Sequence, residues 1–110
     1  MNHARALSLL EDARLAMVAD VPGGPTSVIL ARLEVDYLRQ LYYRVGERLV
    51  VRSCVTRIGT KSFTVRQELL QDDQVAIRAD CVMVAFDFAA DASRPLTDAE
   101  REHWSAYLVS

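Results

Sequence analysis

The sequence predicts an α+β fold in which one amphipathic helix leads into four antiparallel strands. Three observations predict it. Apolar residues recur at helical spacing from His3 to Asp20, the period changes to two after a break rich in proline and glycine, and turn signals divide the remainder into hairpin-connected segments.

In the first segment Leu7, Leu10, Met17 and Val18 form the apolar stripe, while Ala4, Ala6, Ala13 and Ala16 keep the cylinder thin enough for a sheet to approach closely. Asn2 is a good N-cap, so the helix begins almost at the first residue. Val21-Pro22-Gly23-Gly24-Pro25 stops it. From Ser27 to Tyr37, the residues Ile29, Ala31, Leu33, Val35 and Tyr37 alternate with Arg32, Glu34 and Asp36, the pattern of a half-buried strand. Glu47 to Ile58 places Leu49, Val51 and Val55 on one side and Arg52 and Thr56 on the other. After the turn Gly59-Thr60-Lys61, Phe63, Val65 and Leu69 alternate with Thr64, Arg66 and Glu68 up to a second turn at Gln71-Asp72-Asp73-Gln74. The last strand, Val75 to Asp87, ends in the apolar run Cys81-Val82-Met83-Val84-Ala85-Phe86, which suggests burial on both faces. Beyond an Ala/Asp/Ser loop, Thr97 with Glu100 is a capping box that opens a short helix through Tyr107.

Composition bounds the function. At 110 residues the chain is expected to be one domain, 1–110, and 51% apolar with 25% charged residues is a globular composition that excludes disorder. Thirteen basic residues are scattered among fifteen acidic ones for a net charge of −2, which offers no general attraction to nucleic acid. No run approaches the length of a membrane span and the N-terminus lacks a basic-then-apolar signal pattern, so no membrane association and a cytoplasmic location are expected. Cys54 and Cys81 stand in apolar runs without metal-ligand spacing and read as reduced core thiols; no metal site is expected.

Three segments, in order, carry a family resemblance. Asn2-His3-Ala4 through Leu10-Glu11-Asp12-Ala13-Arg14 resembles the loop-to-helix motif of hotdog-fold acyl-CoA thioesterases, an Asn-Asn or Asn-His pair followed by Glu-x-Ala-Arg. Ala31-Arg32-Leu33-Glu34-Val35-Asp36-Tyr37-Leu38-Arg39 resembles the second strand of 4-hydroxybenzoyl-CoA-thioesterase-like proteins, and Val55-Thr56-Arg57-Ile58-Gly59-Thr60-Lys61-Ser62-Phe63 their next hairpin. The likeness covers residues 2 to about 90. It implies a hotdog fold, a long central helix wrapped by a curved antiparallel sheet of about four strands, with a short C-terminal helix. It also implies a homodimer or homotetramer that hydrolyses an acyl-CoA thioester to a carboxylate and coenzyme A, with no cofactor apart from the coenzyme A of the substrate.

The resemblance also assigns roles. The thioester carbonyl would lie at the N-terminus of the first helix, where the backbone N–H groups of His3 and Ala4 and the helix dipole stabilise an oxyanion. Members with the Asn-rich motif carry a catalytic aspartate in an upstream Asp-x-x-Gly-His-Val stretch, and only Met1 stands there in this chain. Either the chain starts late relative to a parent protein that has the upstream strand and aspartate, or the short form is native and its site degenerate or reliant on another carboxylate; on both routes impaired hydrolysis by these 110 residues is expected. A second branch takes its carboxylate from the helix, and Glu11, eight residues after His3, corresponds to that place. Glu11 is therefore the candidate base or nucleophile; its alternative is a structural role holding Arg14. Asn2 and His3 are candidate polar positioning groups, against a plain N-cap and a solvated histidine. Arg57 and Lys61 flank a turn and suit the phosphates of coenzyme A, against solvated hairpin charges. Arg39, Arg44 and Arg48 near Tyr42 and Tyr43 form a further basic cluster. The alternative function is a non-catalytic hotdog dimer that binds acyl-CoA or a partner protein. A dehydratase of this fold would need a His paired with an acid, which neither His3 nor His103 supplies.

Overall fold

The computed structural model describes residues 3–21, 27–42 and 44–109; Asn2, the break at Pro22–Pro25 and Tyr43 lie outside the described residues, as does the side chain of His3. Helix α1 (His3–Ala19) precedes strands β1 (Val28–Tyr37), β2 (Val50–Ile58), β3 (Ser62–Gln71) and β4 (Gln74–Asp87), then the two-residue β5 (Ala92–Ser93) and helix α2 (Asp98–Ser105). All pairings among the named strands are antiparallel, in the order β1-β4-β3-β2, with β5 on the end of β4. The result is an α+β arrangement of a curved sheet and two helices. No helix among the described residues is long and apolar enough to cross a membrane.

Alternation decides which side of the sheet is inner. Phe63, Val65 and Leu69 of β3 and Ile77, Ala79, Cys81, Met83 and Ala85 of β4 are buried, with Val55 of β2 beside them. α1 lays Ala6, Leu10 and Met17 on this face and packs mainly on β2 and β3, so the seventeen-residue helix, about 25 Å long, covers one side of the sheet only. α2 closes the core from the β2 side. Trp104 is completely buried and stacks on Phe63 with ring centroids 4.2 Å apart, and His103 Nε2 lies 3.0 Å from the Met17 carbonyl near the end of α1. The Trp104 indole N–H has no acceptor among the described residues. Past α2, Tyr107 and Val109 pair with Val55 on the outer edge of β2: the Val55 N–H donates to the Tyr107 carbonyl at 2.8 Å and the Val109 N–H to the Val55 carbonyl at 2.9 Å.

Several expectations meet corrections. The single alternation read across β1 is interrupted by a bulge between Leu30 and Arg32, so Val28 and Leu30, then Leu33, Val35 and Tyr37, share the inner face while Ile29 faces out. This strand is also barer than a half-buried one, with Leu30 42%, Leu33 40% and Tyr37 45% exposed. Burial of the β4 apolar run holds on the inner face; Val82, Val84 and Phe86 opposite are half-buried. Cys81 is a core thiol, whereas Cys54 pairs with Arg66 on the outer face and is half-buried. α2 ends two residues before Tyr107, and β5 arises inside the loop. The two-residue turn Asp72-Asp73 and the Thr97–Glu100 capping box stand as the sequence predicts.

Candidate functional site

The outer face of the sheet carries charge in cross-strand pairs. Arg52 and Arg78 both meet Glu68, at 3.0 and 3.2 Å, and Arg66 meets Asp80 at 2.9 Å. Each of these cations has a carboxylate partner, Arg52 and Arg78 sharing one. Arg44 is likewise held by Asp72 at 2.7 Å, which raises the guanidinium pKa and lowers that of the carboxyl, so the basic cluster expected around Arg39, Arg44 and Arg48 is compensated in part.

The turn between β2 and β3 differs. Arg57 and Lys61 flank it, both exposed, and Arg101 of α2 reaches the same turn, donating from Nη2 to the Gly59 carbonyl at 2.7 Å. None of the three has a carboxylate partner among the described residues. Three unneutralised cations on one turn form an anion-receptive corner. Arg101 is absent from a reading of the sequence alone, because only the docking of α2 brings residue 101 to residue 59.

On α1 the first backbone N–H groups, those of His3 and Ala4 among them, have no acceptor within the helix, and the positive end of the dipole lies there. Ala4 is exposed and Asn2 lies outside the described residues. Glu11 is exposed. Its flank of the helix follows from periodicity: Leu7, Glu11, Arg14 and Val18 share one side. Arg14 on that side donates to Cys81 Sγ of β4 at 3.5 Å. The flank bearing Glu11 is therefore the one on the β4 side of the helix; beyond β4 lies β1, whose inner apolar strip runs through Leu30, Leu33 and Tyr37.

Glu11 does not hold Arg14 in an ion pair. Arg14 turns under the helix, where it is 9% exposed, and its Nη1 donates to Gln67 Oε1 at 3.0 Å. Gln67, fully buried on the inner face of β3, donates from Nε2 to the Leu10 carbonyl at 3.0 Å and to Ser53 Oγ at 3.2 Å. The Cys81 thiol completes the cluster; burial pushes its pKa up, and the Arg14 charge offsets only part of that. Gln67 occupies the position in the alternation of β3 where an apolar residue is expected, and that mismatch is the signal by which the sequence could have disclosed it.

The family follows from likeness as well as from geometry. The model of the thioesterase superfamily matches residues 1–77, and the chain belongs to that superfamily. Among solved structures it is similar to a predicted thioesterase from Bacillus stearothermophilus, with 25% identity, a TM-score of 0.86, and coverage of 100% of this chain and 84% of that one. It is also similar to a thioesterase from Thermus thermophilus complexed with coenzyme A and Zn, with 26% identity, a TM-score of 0.82, and coverage of 97% and 80%. A hypothetical protein of Staphylococcus aureus in complex with CoA shares the fold at 13% identity, with a TM-score of 0.86 and coverage of 97% and 72%. Comparison with curated protein sequences finds no relative.

Proposed function

We propose that this protein is a hotdog-fold acyl-CoA thioesterase, similar to the 4-hydroxybenzoyl-CoA thioesterases, and that Glu11 supplies its reactive carboxylate. The observation that carries the reading is an exposed Glu11 on the β4 side of α1 together with a bare apolar strip on the adjoining strand β1, the surroundings an acyl group needs. Water attacks the thioester carbonyl carbon while Glu11 takes its proton; the oxyanion rests on the His3 and Ala4 N–H groups. The C–S bond then breaks, the proton passes to the departing thiolate, and the products are a carboxylic acid and coenzyme A. Asn2 and His3 orient the substrate, and Arg57 and Lys61, joined by Arg101, take the phosphates of coenzyme A.

One distance shapes this site. His3 and Glu11 are eight residues apart, about 12 Å along a helix axis, more than one carbonyl group can bridge. The oxyanion end of one copy therefore works with Glu11 of a second, which agrees with the place of β1 at the edge of the sheet and with the exposure of Leu30 and Leu33. Coenzyme A in the Thermus thermophilus relative supports the substrate class.

The test is release of free thiol from a panel of acyl-CoAs. The native chain should turn over, and Glu11→Gln should lose about 10²- to 10⁴-fold in kcat while keeping its melting temperature. Undiminished turnover by Glu11→Gln would remove Glu11 from the chemistry. Binding of acyl-CoA without any thiol release by the native chain would leave the non-catalytic reading.

A further inference from the structure

Gln67 is the buried polar group with the most demanding set of partners. Its amide nitrogen donates to the Leu10 carbonyl and to Ser53 Oγ, and its oxygen accepts from Arg14 Nη1 and from the Cys81 thiol. Two of these four contacts fall on a single turn of α1, at Leu10 and at Arg14, and Glu11 lies inside that turn. The Leu10 carbonyl already accepts the Arg14 backbone N–H along the helix, so Gln67 adds a second donor from the sheet. One planar amide thus grips the turn by its backbone and by its side chain, in a site where a missed partner would cost the full desolvation of a buried polar group. A hydrophobic residue at this position would bury α1 equally well but would leave the helix free to roll and slide on a smooth surface.

We propose that Gln67 is a positioning residue that fixes the rotation and axial height of α1, and with them the aim of the Glu11 carboxylate. The inference rests on the reading of Glu11 as the reactive group. Misplacement by about 1 Å costs about 100-fold in rate even when the distorted residue lies away from the reacting atoms. Ser53 and Arg14 serve the same grip, one accepting from the Gln67 amide nitrogen and the other donating to its oxygen.

Gln67→Glu separates this role from plain core stability. Its carboxylate still accepts from Arg14, now as an ion pair, and accepts from Ser53 once the hydroxyl rotates, but it has no donor for the Leu10 carbonyl. Gln67→Met removes every polar contact at similar length. Both variants are measured with Glu11→Gln for kcat and KM on one acyl-CoA, for melting temperature, and for amide hydrogen exchange along α1. The expected result is a fall in kcat of about 30- to 100-fold with KM within about threefold. Exchange should quicken by about tenfold at the 10–14 turn and stay unchanged at Met17 and Val18. A lower melting temperature with kcat intact would reduce Gln67 to a stabilising contact, and a native kcat in Gln67→Glu beside an inactive Glu11→Gln would overturn the proposal alone. An active Glu11→Gln, or a native chain without turnover, would overturn both readings together. Should Gln67→Met fail to fold, Gln67→Glu and Ser53→Ala still decide.

Discussion

Glu100 shows how one side chain can hold a whole terminus. It is 1% exposed, and burial alone would favour its neutral form. Arg94 meets both of its oxygens, at 2.7 and 3.1 Å, and the Thr97 N–H donates to Oε1 at 2.9 Å; together these outweigh burial and hold the carboxyl below the usual carboxylate range. Arg94 Nη2 also donates to the Ser27 carbonyl at 3.0 Å, so the cluster ties the approach to α2 to the start of β1. A depressed pKa contributes stability that is complete above the unfolded value, about 4.3, and that drains away as pH falls through the folded one. Acidification below about pH 4 should therefore loosen α2 first. Trp104, the chain's one tryptophan, reports it by fluorescence, and Glu100→Gln should flatten that acid transition. Arg94→Ala strands a buried carboxylate and should cost about 3 kcal/mol, read from urea unfolding at pH 7.

At the scale of elements, turn chemistry carried the sequence reading furthest. Asp72 and Asp73 both have positive φ, 55° and 60°, which identifies the tight β3–β4 connection as a turn that favours Asn-Gly. Asp73→Gly should stabilise the protein by about 0.5–1 kcal/mol, seen as a higher urea midpoint at unchanged slope. The capping box of α2 was equally legible, because Thr97 and Glu100 satisfy each other's backbone locally. The two bulges were not. An extra residue at Ala31 or Thr56 alters no composition, yet it reverses which face every earlier residue of the strand presents, as Ile29 shows. The grip of Gln67 on α1 was hidden for a related reason: Arg14 and Leu10 each lie more than fifty residues from it along the chain.

At the scale of the whole molecule, the candidate site was legible only as far as it is local. His3, Ala4 and Glu11 share one helix, and Arg57 and Lys61 one turn, so spacing alone places each set. What links them is tertiary: the bare strip of β1, the arrival of Arg101, and the grip of Gln67. The strip makes a prediction of its own. If two copies join along β1, Leu33→Glu places a carboxylate in the shared apolar surface, and sedimentation should show monomers where the native chain shows dimers, with thiol release lost in parallel. A monomeric native chain that still releases thiol would remove the second copy from the site.

Strand order has a further consequence, for the path of folding. β2, β3 and β4 follow one another through short turns and can form their meander as each is made. β1 has no such neighbour, because its strand partner among the described residues, β4, begins thirty-seven residues after β1 ends. During synthesis β1 emerges with its apolar side unpaired and waits while roughly half the chain is still to be added. Nucleation then belongs to the meander, and β1 joins late, carrying with it the strip on which the proposed assembly depends. Once β4 has arrived, the bulge it forms with β1 bends and twists that edge strand.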